Sequence, residues 1–134
     1  LGLAVDTSEG LMVVVVRKAD QKSVGQIHRE LNLLTERAQN QRSVPEDLEG
    51  STFTITNLGM YGIDAFTPII NPPEAAILGV CRFVERDVLI EGQNKRRTIA
   101  NFSLTIDHRV IDGGPAARFL QRLGELIAKV ESTE

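Results

Sequence analysis

The chain has 134 residues, 42% hydrophobic and 25% charged, which is the composition of one globular domain with apolar mass enough for its own core. A formal charge of −3 and an aromatic content of 4% leave out the basic field and the stacking platforms of a nucleic-acid binder. The longest apolar run, Leu11 to Val16, is far short of the roughly 20 residues that cross a bilayer, so a soluble protein with no membrane partner is expected.

The chain opens on Leu1-Gly2-Leu3-Ala4-Val5, a strand-like stretch with no polar lead-in, as expected of a fragment cut from a longer chain. After the turn Thr7-Ser8-Glu9-Gly10, the run Leu11 to Val16 is apolar without alternation and rich in β-branched residues, which predicts a strand buried on both faces. Ser23 and Gln26 form the S-x-x-Q pattern of a capping box. Val24, Ile27, Leu31, Leu34 and Ala38 follow at spacings of three and four, predicting an amphipathic helix over about 23–41. His28 lies beside that stripe as a boundary side chain. Ser43 to Leu48 reads as a single helical turn with Pro45 early in it, where a missing N–H costs nothing.

Thr52 to Thr56 alternates as a strand does. Asn57 to Pro73 is rich in Gly, Pro and Asn yet too apolar for a loose loop, which predicts that it packs on a site or a partner. Ala75 to Phe83 and Asp87 to Ile90 are strand candidates, and Glu91 to Asn94 is a hairpin turn into a strand over Arg96 to Ile106. Cys81, the single cysteine, excludes an internal disulfide and reads as a small core residue in a reducing compartment. The last helix is predicted to start near Pro115 and run to about Val130, with Ala116, Phe119, Leu120, Leu123, Ile127 and Val130 on one face.

Chemistry concentrates in Thr105 to Gly114, TIDHRVIDGG, which holds one of the two histidines at a strand end before a glycine turn. His108 reads as a catalytic base, a metal ligand or a packed bystander. The metal reading is poor. His108 and Asp112 straddle a strand end rather than one helix face, and only His28 and Cys81 remain to complete a site. The base reading asks for less, because an imidazole takes a proton near neutrality and Asp112 is close enough in sequence to fix the ring or the loop. No G-x-S-x-G elbow supplies a serine nucleophile, so the nucleophile comes from a substrate.

DHRVIDGG (Asp107 to Gly114), FTITNLGMYGIDAFTPIINPPEAAILGV (Phe53 to Val80) and the opening LGLAVDTSEGLMVVVV together resemble the C-terminal part of the catalytic domain of dihydrolipoamide acyltransferases. These are core components of 2-oxo acid dehydrogenase complexes such as the pyruvate dehydrogenase complex, and are related in fold to chloramphenicol acetyltransferase. The resemblance runs the length of the chain. It implies an α/β fold with a mixed sheet flanked by helices, residues 1–134 being the C-terminal part of the domain, with no lipoyl or partner-binding domain present.

The activity implied is transfer of an acyl group between a dihydrolipoyl thiol and coenzyme A, with no metal. His108 matches the general base. Thr56 stands where the family has a serine hydroxyl donating to the oxyanion, with an ordinary strand residue as the alternative reading. Asp112 matches an acid that holds the histidine loop through an ion pair, and a cap on the last helix is open to the same side chain. The lipoyl group is carried on a separate domain. The resemblance also implies a homotrimer, its active sites between subunits, building a cubic or dodecahedral core that works with 2-oxo acid dehydrogenase and dihydrolipoamide dehydrogenase components. The compartment implied is bacterial cytoplasm, or the mitochondrial matrix in a eukaryote. NLGMYG (Asn57 to Gly62) looks more like acetyl-transferring members than succinyl-transferring ones. A non-catalytic, oligomerising fragment of the same fold is the alternative.

Overall fold

The computed structural model describes residues 1–130. Five strands form one mixed sheet: β1 (Gly2–Thr7), β2 (Gly10–Val15), β3 (Thr54–Asn57), β4 (Ala76–Ile90) and β5 (Gln93–Ile106), in the spatial order β2-β1-β3-β4-β5. The outer pairs, β1 with β2 and β4 with β5, are antiparallel, while β3 runs parallel to both β1 and β4. Two helices, α1 (Val24–Gln39) and α2 (Gly113–Ala128), complete the fold.

The capping box forms as its spacing predicts. The Ser23 hydroxyl accepts from the Gln26 N–H, and the Gln26 side chain accepts from the Ser23 N–H, so two of the donors orphaned at the helix start are satisfied. The α1 stripe then buries Leu34 and Ala38 against Val5, Val14 and Val16, with Ile27 and Leu31 packed at the margin. Truncating Leu34 here costs about 2–5 kcal/mol, the usual range for a buried leucine. Val24, predicted on the stripe, is instead 84% exposed. It is the first helical residue, ahead of the Ile27 to Ala38 stretch that packs on the core.

Register parity assigns the two faces. Leu3 pairs with Ile55, so the face under α1 continues across β3 to Phe53 and then to Ala76, Leu104 and Ile106 beneath α2. Both helices of the mixed sheet therefore lie on one face. On the other face lie Ala4, Val13, Thr54, Thr56, Ile77 and Gly79, covered by the segment between β3 and β4. The apolar Asn57 to Pro73 stretch thus packs on its own sheet: Pro68 accepts a hydrogen bond from Thr105 at 2.6 Å, and the Phe66 ring sits directly over Gly79.

Other expectations are corrected. β2 is an edge strand, and only Val14, Val15 and Val16 are buried, while Leu11 is 71% exposed. The two strand candidates around Arg86 are one strand, because Glu85, Arg86 and Asp87 remain paired with β5 past a register shift between Val80 and Phe83. Their polarity reflects a two-stranded ribbon wetted on both sides, since β3 ends opposite Val80. The ribbon closes as a two-residue hairpin with positive φ at Glu91 (51°) and Gly92 (78°), the geometry that favours glycine at the second position. α2 begins two residues earlier than Pro115 predicts and ends at Ala128. It packs loosely, with Phe119 and Phe53 rings 5.7 Å apart and no residue of the helix fully buried.

Candidate active site

β5 ends at Ile106 and delivers Asp107, whose N–H donates to the Ala75 carbonyl at 2.8 Å and pins the following turn to the start of β4. The Asp107 carbonyl accepts from Val110 and Ile111 at 2.9 and 3.0 Å. Its carboxylate accepts from the Arg109 N–H at 3.0 Å and from the Arg109 guanidinium at 2.9 and 2.6 Å. Hydrogen bonds from the Arg109 side chain, then from its backbone, hold the Asp107 carboxyl down at about 2, and the same contact raises Arg109.

His108 is therefore gripped on both flanks while its ring stands free, 75% exposed. Nδ1 lies 3.8 Å from the Asp112 carboxylate, itself 84% exposed. Asp112 occupies the cap position of α2 in extended conformation, but its side chain bonds none of the first-turn N–H groups. The capping role is thus absent, and the carboxylate faces the histidine.

Thr56 lies elsewhere. It is half-buried on the face away from the helices and lines an apolar pocket of about 370 Å³ with Val13, Phe66, Ile70 and Ile77. Its hydroxyl has no hydrogen-bond partner among the described residues. Two strands and about five residues of register separate Thr56 from His108, a distance on the order of 15–20 Å. One chain therefore does not bring the hydroxyl and the imidazole to a common reacting atom. Asp112 is brought to His108, and Thr56 to neither.

Of the other reactive side chains, Cys81 is fully buried as expected, and His28 contacts Asn32 at 3.1 Å on the outer face of α1. Among the described residues no group of three or more His, Cys, Asp or Glu gathers as a metal site. Two carboxylates escaped sequence reasoning as individuals. Asp107 carries a readable signal, an acid at a strand end placed to accept the N–H two residues on. Glu74 carries none: it follows two prolines, yet it is 93% buried and accepts from Ser51, Thr54 and Asn71 through one oxygen while the other has no partner.

Residues 1–133 match the family described as 2-oxoacid dehydrogenases acyltransferase (catalytic domain), and the chain belongs to that family. It is similar to the dihydrolipoyllysine-residue acetyltransferase component of the pyruvate dehydrogenase complex of Azotobacter vinelandii, 44% identical over 98% of this chain and 21% of that protein. It is also similar to the dihydrolipoyllysine-residue succinyltransferase component of the 2-oxoglutarate dehydrogenase complex of Bartonella vinsonii subsp. berkhoffii, 42% identical over 97% of this chain and 32% of that protein. Two solved structures, the Azotobacter vinelandii dihydrolipoamide acetyltransferase and the cubic core of the pyruvate dehydrogenase multienzyme complex, each superpose with a TM-score of 0.91 at 45% identity. Each match covers 96% of this chain and 53% of the solved one. In the former protein a serine, a histidine and an asparagine were investigated for their role in the catalytic mechanism. The chain thus spans a fifth to a third of these curated relatives and just over half of these solved chains.

Proposed function

We propose that the chain transfers an acyl group, acetyl, between a dihydrolipoyl thiol and coenzyme A, at a site completed between copies of the protein. His108 takes the proton of the attacking thiol, which is otherwise only a few per cent thiolate at neutral pH. The thiolate adds to the thioester carbonyl, and the Thr56 hydroxyl donates to the oxyanion that forms. Collapse expels the second thiol, which recovers the proton from His108. A positioned base contributes typically about 10²–10⁴ in rate, and an oxyanion donor about 10²–10³.

The observation that carries this reading is the division of the site: an unpartnered hydroxyl in an apolar pocket on one face, and an exposed imidazole too far away to serve it. An exposed base and an open pocket are what two halves present before another copy joins them and excludes water. The spacing supports the roles. The serine, histidine and asparagine investigated in the Azotobacter protein stand at the same separations as Thr56, His108 and Asp112. The acetyl reading rests on the likeness of Asn57 to Gly62 to acetyl-transferring members, and a pocket separates acyl groups by size at only about 1–3 kcal/mol per methylene.

The partners that go with this reading are a homotrimer, a cubic or dodecahedral core, a lipoyl domain and the two dehydrogenase components. The compartment is bacterial cytoplasm or mitochondrial matrix. The test is transfer from acetyl-coenzyme A to dihydrolipoamide by the wild type beside His108→Ala, with loss of transfer in the variant expected. No transfer by the wild type leaves the chain a structural, oligomerising member of its fold.

A further inference from the structure

We infer that Asp107 is a positioning residue of the transfer site, fixing where the His108 imidazole stands by tying together the backbone on either side of it; this rests on the reading of His108 as the base. The His108 ring has no hydrogen bond among the described residues, and its one charged neighbour, Asp112, is 3.8 Å away and exposed. Exposed pairs of that length hold a side chain weakly. The ring's position is therefore set by the backbone at residues 107–109 and by rotation about the side chain's own bonds.

Four contacts decide that backbone. Three are main-chain bonds, from Asp107 to Ala75 and from Val110 and Ile111 to Asp107, and these survive any substitution at position 107. The fourth is the carboxylate, which accepts the Arg109 N–H and folds the Arg109 side chain back onto itself. It is the side-chain link between the two flanks of His108, added to the main-chain bonds from Val110 and Ile111 that also span it. A carboxylate accepting a backbone N–H is a charge-assisted bond, stronger than its neutral counterpart. Asparagine keeps the acceptor for that N–H, and alanine removes it.

The test compares the wild type, Asp107→Ala and Asp107→Asn in the assembled protein, reading kcat, KM for both thiol substrates and Tm. Misplacing a catalytic group by about 1 Å can cost about 10²-fold in rate. The expected result is a 10- to 100-fold fall in kcat for Asp107→Ala with KM and Tm unchanged, and recovery to within a few-fold of wild type in Asp107→Asn. A kcat within twofold of wild type in Asp107→Ala, a loss that follows Tm, or an asparagine variant as slow as alanine overturns the inference.

Amide exchange at His108 and Arg109 is measured in the same proteins. If the wild type transfers nothing, the acyltransferase reading fails by itself, and the exchange decides this one. Faster exchange in Asp107→Ala upholds the tie, and unchanged exchange overturns it.

Discussion

His108 Nδ1 and the Asp112 carboxylate face each other at 3.8 Å across the turn that starts α2, with neither side chain buried. That length exceeds a hydrogen bond and both groups are exposed, so the contact holds the ring weakly, by proximity rather than through a fixed donor and acceptor. An amide of the same shape preserves the packing, and the Azotobacter relative has an asparagine at the corresponding spacing. Asp112→Asn is therefore expected to keep kcat within about threefold, and Asp112→Ala to lower it by about tenfold, with Tm unchanged in both, as surface substitutions generally leave stability. Steady-state kinetics on the two variants checks this, and equal losses in both point to a requirement for charge.

Asp107 yields a pH dependence with a definite sign. Its carboxyl sits at about 2 in the folded chain, because the Arg109 guanidinium and N–H stabilise the anion, against about 3.9 for an unperturbed aspartate. A depressed acid keeps its contact fully above the unfolded value and loses it as pH falls through the folded one, and in a pair this exposed to solvent the effect falls on the local turn rather than on the stability of the whole fold. The turn is thus expected to stay closed from neutrality down to about pH 4 and to open between there and about pH 2. Carboxyl NMR titration reads it directly. A midpoint near 4 for Asp107 shows that Arg109 does not hold the anion in solution.

Tyr61 has the opposite sense. Its hydroxyl donates to Asp6 at 3.2 Å, and that hydrogen bond, followed by the charge of Asp6, raises the phenol above its ordinary 10.0. A raised acid that is neutral when bonded stabilises below its unfolded value and loses that contribution as pH rises through the folded one. Phenol absorbance is expected to titrate later in the wild type than in Asp6→Asn, and coincident curves show that the strap between this loop and β1 is open in water.

Local rules made α1 legible. A capping box and a three-four repeat need no knowledge of the rest of the fold, and Ser23, Gln26, Leu34 and Ala38 behave as they specify. β2 was misread because six apolar residues in a row look the same at an edge as in the centre of a sheet, and only the strand order distinguishes the two. Val84-Glu85-Arg86 looks like a break between strands because the cross-strand partners lie beyond the hairpin: Arg96 meets Glu85 at 3.8 Å and Asp87 at 3.3 Å. At the site, the place of His108 just past a strand end and near Asp112 is legible from the motif, whereas the grip of Asp107 on Arg109 depends on a turn whose shape is settled by a bond to Ala75 far back in the chain.

Gly79 tests how the loop over Thr56 is seated. A Cβ built there falls 2.8 Å from Cζ of Phe66 and 3.1 and 3.2 Å from two more ring atoms, so the ring must leave its place over the sheet. Overpacking of this kind typically costs about 1–3 kcal/mol. Gly79→Ala is expected to destabilise by that amount in chemical denaturation. Adding Phe66→Leu should recover part of the loss, because the two sites share one volume and couple non-additively. Strict additivity of the two changes shows that Phe66 does not rest on Gly79.

The proposed division of the site between copies predicts complementation. His108→Ala keeps the Thr56 hydroxyl, and Thr56→Ala keeps the His108 base, so each variant alone builds only defective sites. In a ring of head-to-tail contacts each interface joins the histidine of one subunit to the hydroxyl of the next, and random mixing makes about a quarter of interfaces intact. Co-refolded variants are therefore expected to recover about a quarter of wild-type kcat per chain, while each variant alone is reduced by about 10²-fold or more. Recovery fails if both groups act within one chain, since every chain in the mixture lacks one of them. The 15–20 Å separation of about five residues and two strands argues for recovery. Thr56→Ser in the same assay should retain the hydroxyl and stay within a few-fold of wild type, which ties the loss in Thr56→Ala to the missing donor rather than to the pocket it lines.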